Sequence, residues 1–87
     1  DDGAAKALVQ GGKSLLPSGI VEVKGDFDAG DLVGIEDKHH VELARGLVRF
    51  GAGEVHLIRG KQTGDVAQIL DDVQGAEVIH RDHMVVF

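Results

Sequence analysis

The sequence predicts a small α+β domain, mainly β, built from short strands around one core. Three observations carry that expectation. The chain has 87 residues, and a domain of this size buries only about 60 to 65% of its unfolded surface, which leaves no material for a second core. Thirteen glycines with a single proline imply many tight turns between short elements, which suits strands better than a helical bundle. Hydrophobic residues at 43% and charged residues at 28% are ordinary for a folded chain, and no apolar run approaches the roughly 20 residues that span a bilayer. Membrane-helix, collagenous and disordered classes are excluded. The absence of cysteine removes disulfides and thiolate sites. The chain opens on Asp1-Asp2 with no visible signal peptide, so a cytoplasmic setting is expected.

Each element has its own signal. Residues 1–10 contain the helix formers Ala4, Ala5, Lys6, Ala7 and Leu8, with aspartates near the first turn and Gly11-Gly12 as a stop. A helix is expected there. Pro17 and Gly19 close a turn before residues 20–24, a half-buried strand with Val21 and Val23 on one face and Glu22 and Lys24 on the other. The turn formers Gly25, Asp26, Asp28, Gly30 and Asp31 precede a second strand from about Leu32 to Glu36. Residues 37–40 make the next turn.

The third strand, residues 41–50, contains a conflict of parity. Val41 and Leu43 alternate with Glu42, whereas Val48 and Phe50 alternate with Arg49 in the opposite phase. Burying both sets on one face requires an extra residue between them, and Gly46 is the expected bulge. Beyond Gly51 and Gly53, residues 54–59 have the makings of a helical turn. Residues 63–70 form a better helix, with Thr63 as N-cap, Asp65 in the first turn and Val66, Ile69 and Leu70 at helical spacing. Residues 77–87 return to strand with an interruption near Arg81-Asp82.

Charge is uneven along the chain. The net value of -6 gives a poor global field for attracting nucleic acid. Residues 6–24 and 45–61 are locally basic, and residues 25–44 are strongly acidic, carrying Asp26, Asp28, Asp31, Glu36, Asp37 and Glu42 against Lys38. A solvated surface accounts for this pattern unless the fold gathers the cations on one face.

The candidate chemistry is sparse. Residues 7–14, ALVQGGKS, satisfy a relaxed phosphate-loop pattern, but such a loop needs a strand before it and a helix after it. Here a helix precedes, and Leu15-Leu16-Pro17-Ser18-Gly19 favours a turn. Nucleotide binding is not expected. Gly51-Ala52-Gly53 is weaker still, because His56 stands where a dinucleotide loop has its third glycine. His39-His40 falls in a turn, and His80 and His83 face opposite ways on a strand unless the kink reorients them. No metal site is expected. Ser14, Ser18 and Thr63 lie in no nucleophilic context, so the chain alone is not expected to be an enzyme. Phe27, Phe50 and Phe87 are too scattered for base stacking and read as core residues. What remains is recognition of a nucleic-acid backbone by the Gly11-Gly12 loop with Lys6, Lys13 and Ser14.

The order of motifs carries a resemblance. DDGAAKAL at 1–8, GKSLLPSGI at 12–20, GDFDAGDLVGI at 25–35, LARGLVRF at 43–50 and EVIHRDHMVVF at 77–87 together resemble the C-terminal PUA domain of bacterial glutamate 5-kinases. The resemblance covers nearly the whole chain. It implies a PUA-like pseudobarrel of short strands with two helices, and a first strand truncated where residue 1 begins. It also implies a regulatory or assembly module whose partners are its own kinase domain and other subunits of a homo-oligomer. That kinase domain would lie outside these 87 residues, and there ATP and magnesium would serve phosphorylation of the glutamate side chain, the first step of proline synthesis, under feedback inhibition by proline. No cofactor is implied for the chain itself.

PUA domains of RNA-modifying enzymes contact RNA through the first helix, the following loop and strand, and the last strand. Carried over by position, the resemblance names Lys6, Gly12, Lys13, Ser14 and Arg81 as RNA-binding candidates. Phe50-Gly51-Ala52 departs from the tyrosine and serines of the family pattern.

Overall fold

The computed structural model describes residues 13–70 and 75–87. The helix expected over residues 1–10, and with it Lys6 and Gly12, lies outside the described residues. Within them the fold is α+β: strands β1 (Leu32–Glu36) and β2 (Glu42–Leu47), helices α1 (Ala52–Ile58) and α2 (Thr63–Ile69), then strand β3 (Met84–Val86). The strands form one antiparallel sheet in the order β1-β2-β3. Short 3-10 turns occupy Pro17–Gly19 and Arg81–His83.

The hairpin from β1 to β2 is set by Asp37. Its carboxylate accepts from the backbone N-H of His39 at 2.8 Å and of Val41 at 3.1 Å, and its carbonyl accepts from His40 N at 3.0 Å. Closing the turn places His40 at φ 63, in the left-handed region that a short polar side chain tolerates better than a branched one.

The parity conflict resolves differently from the expectation. Ile35 pairs with Ala44 but Glu36 pairs with Glu42, so Leu43 is the extra residue and the bulge sits at the start of β2. From Ala44 onward a single phase holds, with Ala44, Gly46, Val48 and Phe50 all buried. Gly46 lies in regular register between Val33 and Met84. The expected bulge at Gly46 is therefore corrected, because Val41 never enters the core and is 55% exposed. Gly46 answers a different demand. A Cβ there would stand 2.5 Å from Ile79 Cγ2 and 2.7 Å from the His83 carbonyl oxygen, well inside contact distance.

The core lies between the inner face of the sheet and the helices. Val55 and Ile58 from α1, Val66 from α2 and Leu70 just beyond it meet Val48, Phe50, Leu15, Val78 and Ile79. Helix α1 starts two residues earlier than expected. Ala52 N donates to the Phe27 carbonyl at 2.9 Å, and the Glu54 carboxylate accepts from Gly51 N at 3.2 Å, so donors left over at the helix start are satisfied. In α2 the cap is Gln62, whose carbonyl accepts from Asp65 and Val66. Thr63 is the first helical residue, which corrects its assignment as N-cap.

Two further corrections bear on the surface. Residues 20–24 belong to no ladder among the described residues. Ile20 and Val23 pack on the core, whereas Val21 is exposed and its carbonyl accepts from the Arg59 guanidinium at 2.9 Å. A side chain holds the segment where a strand was expected. Phe50 is buried and Phe27 packs against the core, but Phe87 is 63% exposed. The alternation of β3 explains this: Met84 and Val86 are partly buried, Val85 is exposed, and Phe87 continues the outward phase.

Candidate functional site

Three of the five residues named as RNA-contact candidates, Lys13, Ser14 and Arg81, meet at a seam. Leu15 and Ile79 form an isolated antiparallel bridge, with Leu15 N donating to Ile79 O at 2.9 Å and Val78 N donating to Leu15 O at 2.8 Å. Both side chains are buried, and their burial fixes the two segments side by side. Next to the bridge, Arg81 N donates to Ser14 Oγ at 2.9 Å. Lys13, Ser14 and Arg81 are thus gathered by the fold from positions far apart in sequence.

The chain after the bridge turns sharply. His80 Nδ1 accepts from Asp82 N at 3.1 Å, and His83 N donates to His80 O at 2.9 Å. This closes the 3-10 turn Arg81–His83, the interruption expected near Arg81-Asp82. The kink sets the His80 and His83 rings 6.1 Å apart. Asp82 sits against both neighbouring groups, 3.5 Å from His80 Nδ1 and 4.0 Å from Arg81 Nε. Exposed Lys13 and Arg81 offer two cations, and the Ser14 hydroxyl keeps its own proton to donate. The arrangement suits weak contact with an anionic backbone, diluted by the Asp82 charge. No helix follows Lys13-Ser14. The chain enters the bridge and then the turn at Pro17–Gly19, unlike a phosphate loop.

The second basic segment does not add to this patch. Arg45 Nε donates to both Glu42 oxygens at 3.0 and 3.1 Å, and that hydrogen bond, followed by the Glu42 charge, raises the guanidinium above its ordinary pKa. Arg49 donates to the Glu77 carboxylate at 3.1 Å and to the Glu77 carbonyl at 3.0 Å, and lies over the Phe50 ring. Arg59 is held at the Val21 carbonyl. Each of these cations has a local partner. The acidic segment contributes Asp26, Asp28 and Asp31 to a shallow groove completed by Glu54. Among the described residues no three histidine or carboxylate side chains converge as a metal site, and no helix is long and apolar enough to cross a membrane.

A feature that the linear reading missed is the outer face of the sheet. Leu32 stands opposite Leu47, and Arg45 opposite Val85, and with Phe87 these residues line one shallow groove. Leu32, Val85 and Phe87 are each more than 60% exposed, and Leu47 is 43% exposed. The Arg45 guanidinium lies 5.8 Å from the Phe87 ring centroid.

Comparison with known proteins decides the family. The PUA domain family matches residues 1–70. The chain belongs to the PUA domain family. This PUA domain is 54% identical over 86 residues to the glutamate 5-kinase of Caldanaerobacter subterraneus subsp. tengcongensis. It is 49% identical over the same span to that of Halorhodospira halophila and 48% identical to that of Thermoanaerobacter pseudethanolicus. In each case the match takes in 99% of this chain and 23% of the relative, so the PUA domain spans about a quarter of the length of the curated relatives it matches. Of its five candidate contact residues, the structure brings together Lys13, Ser14 and Arg81. The outer face was open to a reading of strand alternation, since Leu32 and Leu47 are out of phase with the inward Val33 and Val48. It needed the strand register to become one surface.

Proposed function

We propose that this PUA domain is the regulatory and assembly module of a glutamate 5-kinase, working in the cytoplasm beside a kinase domain that uses ATP and magnesium to phosphorylate the side chain of glutamate for proline synthesis. The observation that carries the assembly role is the outer face of the sheet, where Leu32, Leu47, Val85 and Phe87 stay in water together. A cluster of large apolar residues rimmed by Arg45 and Asp82 is the composition of a protein contact. The near-complete match to proteins named glutamate 5-kinase supports the identity of the parent chain. The partners are the kinase domain of its own chain and neighbouring subunits of a homo-oligomer.

The test uses the longer polypeptide carrying Leu32→Ser and Phe87→Ser. Sedimentation should show fewer subunits per particle, or proline inhibition should shift by several-fold, while glutamate kinase activity stays within a few-fold of the parent. Unchanged assembly together with unchanged inhibition would defeat the proposal.

One observation favours a second reading. The Arg81 to Ser14 hydrogen bond beside exposed Lys13 makes a small polar patch suited to structured RNA. With three or four phosphate contacts, the affinity would vary with salt with a log-log slope of about 2 to 3 in magnitude. Titration of RNA at several salt concentrations, with Lys13→Glu as control, would separate this reading from the first.

A further inference from the structure

The turn that joins the Leu15–Ile79 bridge to β3 is held by an imidazole acting as an acceptor. His80 Nδ1 receives the Asp82 N-H at 3.1 Å, which requires an unprotonated Nδ1 and so places the proton of the neutral ring on Nε2. The Asp82 carboxylate lies 3.5 Å from the same nitrogen. These two contacts exclude each other in kind. The first uses the Nδ1 lone pair, whereas the second becomes a charge-assisted bond only once Nδ1 carries a proton.

We propose that His80 is a pH-dependent latch on this turn: neutral, it caps Asp82 N-H, and protonated, it releases that amide and pairs with the Asp82 carboxylate. The groups around it are Arg81, Asp82 and His83 in its own turn, and Lys13 and Ser14 in the segment that runs antiparallel from the bridge. Arg81 and Lys13 bring positive charge to this turn, and the Asp82 carboxylate lies within 4.0 Å of both His80 Nδ1 and Arg81 Nε. The exchange therefore reorganises the turn around Asp82. Two structures hang on the turn. Arg81 N reaches Ser14 from one side of it, and on the other Met84 starts the β3 pairing with Gly46 that presents Val85 and Phe87. The inference does not depend on the proposed function, since it concerns the turn whatever binds there.

The experiment follows the Asp82 amide and the histidine rings of the whole chain by NMR from pH 7.5 to 5.0. At pH 7.5 the His80 ring should be the Nε2-H tautomer. The Asp82 amide should shift with the same midpoint as the His80 ring, and its exchange protection, corrected for intrinsic rates, should fall at least five-fold by pH 5.0. In His80→Asn, which keeps a capping acceptor without titrating, the amide should stay protected across the range. In His83→Asn the pH response should persist. A wild-type amide that ignores pH, an Nδ1-H tautomer at pH 7.5, or a response lost in His83→Asn would each overturn the latch. If His80→Asn fails to fold, the wild-type and His83→Asn titrations decide between the same outcomes.

Discussion

The two faces of the sheet invert the usual relation between side-chain size and burial. On the inner face β2 presents Ala44 and Gly46, both buried, and the space above Gly46 is filled by Ile79 and the His83 carbonyl brought in from the C-terminal segment. On the outer face the large apolar residues Leu32, Leu47, Val85 and Phe87 remain in water. Small residues lie inside because another segment comes close, and large ones lie outside where none of the described residues covers them. Hydrophobicity alone assigns neither face. Close approach decides the first, and the exposure of large apolar side chains marks the second.

The sharpest way to break that contrast is to empty the inner side. Ile79 is 1% exposed and belongs to the core cluster, so Ile79→Ala removes buried methyl and methylene groups and loosens the bridge to Leu15. A loss of about 4 kcal/mol is expected from the transfer and cavity terms of such truncations. Urea denaturation would measure it. A loss below about 1 kcal/mol would mean that the seam repacks freely.

Filling the same contact from below should cost slightly less. Gly46→Val places new atoms against Ile79 and a backbone carbonyl that cannot move without moving the 3-10 turn, and about 3 kcal/mol is expected from overpacking. Gly34→Ala is the matched control on the outward phase of β1. The Cβ added there meets only the flexible end of the Glu42 side chain, which can swing away. A Gly46→Val midpoint equal to that of Gly34→Ala would show that the close approach is not what selects glycine.

How much of this was legible in the sequence depends on the range of the interaction. Leu32–Glu36 and the turn after it could be read directly, because the Asp37 side chain and strand propensity act over a few residues. The bulge could not be placed, since the arithmetic took Val41 and Leu43 to share the buried face, and only pairing with β1 makes Leu43 the extra residue. The segment at residues 20–24 has a strand-like alternation in sequence, yet it joins no ladder among the described residues. At the candidate site, Lys13, Ser14 and Arg81 were named by resemblance, but the hydrogen bond between Arg81 and Ser14 spans 67 residues and has no local signal. The cap made by His80 was hidden because its partner is a backbone N-H.

A mid-sized effect lies at the margin between the faces. Arg49 is partly buried, donates to the Glu77 carboxylate and carbonyl and covers the Phe50 ring. Arg49→Ala should cost about 1 to 2 kcal/mol, the loss of charge-assisted bonds together with stem packing. Arg49→Lys should recover less than half, because an ammonium lacks the fixed fork of donors that reaches both the Glu77 carboxylate and its carbonyl. Full rescue by lysine in thermal melts would assign the effect to charge alone.

The smallest expected effect carries the contrast furthest. Leu32 is 64% exposed and pairs across the sheet with Leu47, itself partly in water. Leu32→Ser removes little buried area, so its effect on stability should stay within about 0.5 kcal/mol, as for surface substitutions away from caps and cores. Both chains should therefore melt together when dilute. At high concentration they should part if the outer face is a contact surface: the parent chain should bind an exposed-hydrophobe dye more strongly and self-associate more readily than the variant. If Leu32→Ser instead costs as much as Ile79→Ala, the outer face is part of the core, and the inversion between the two faces is lost.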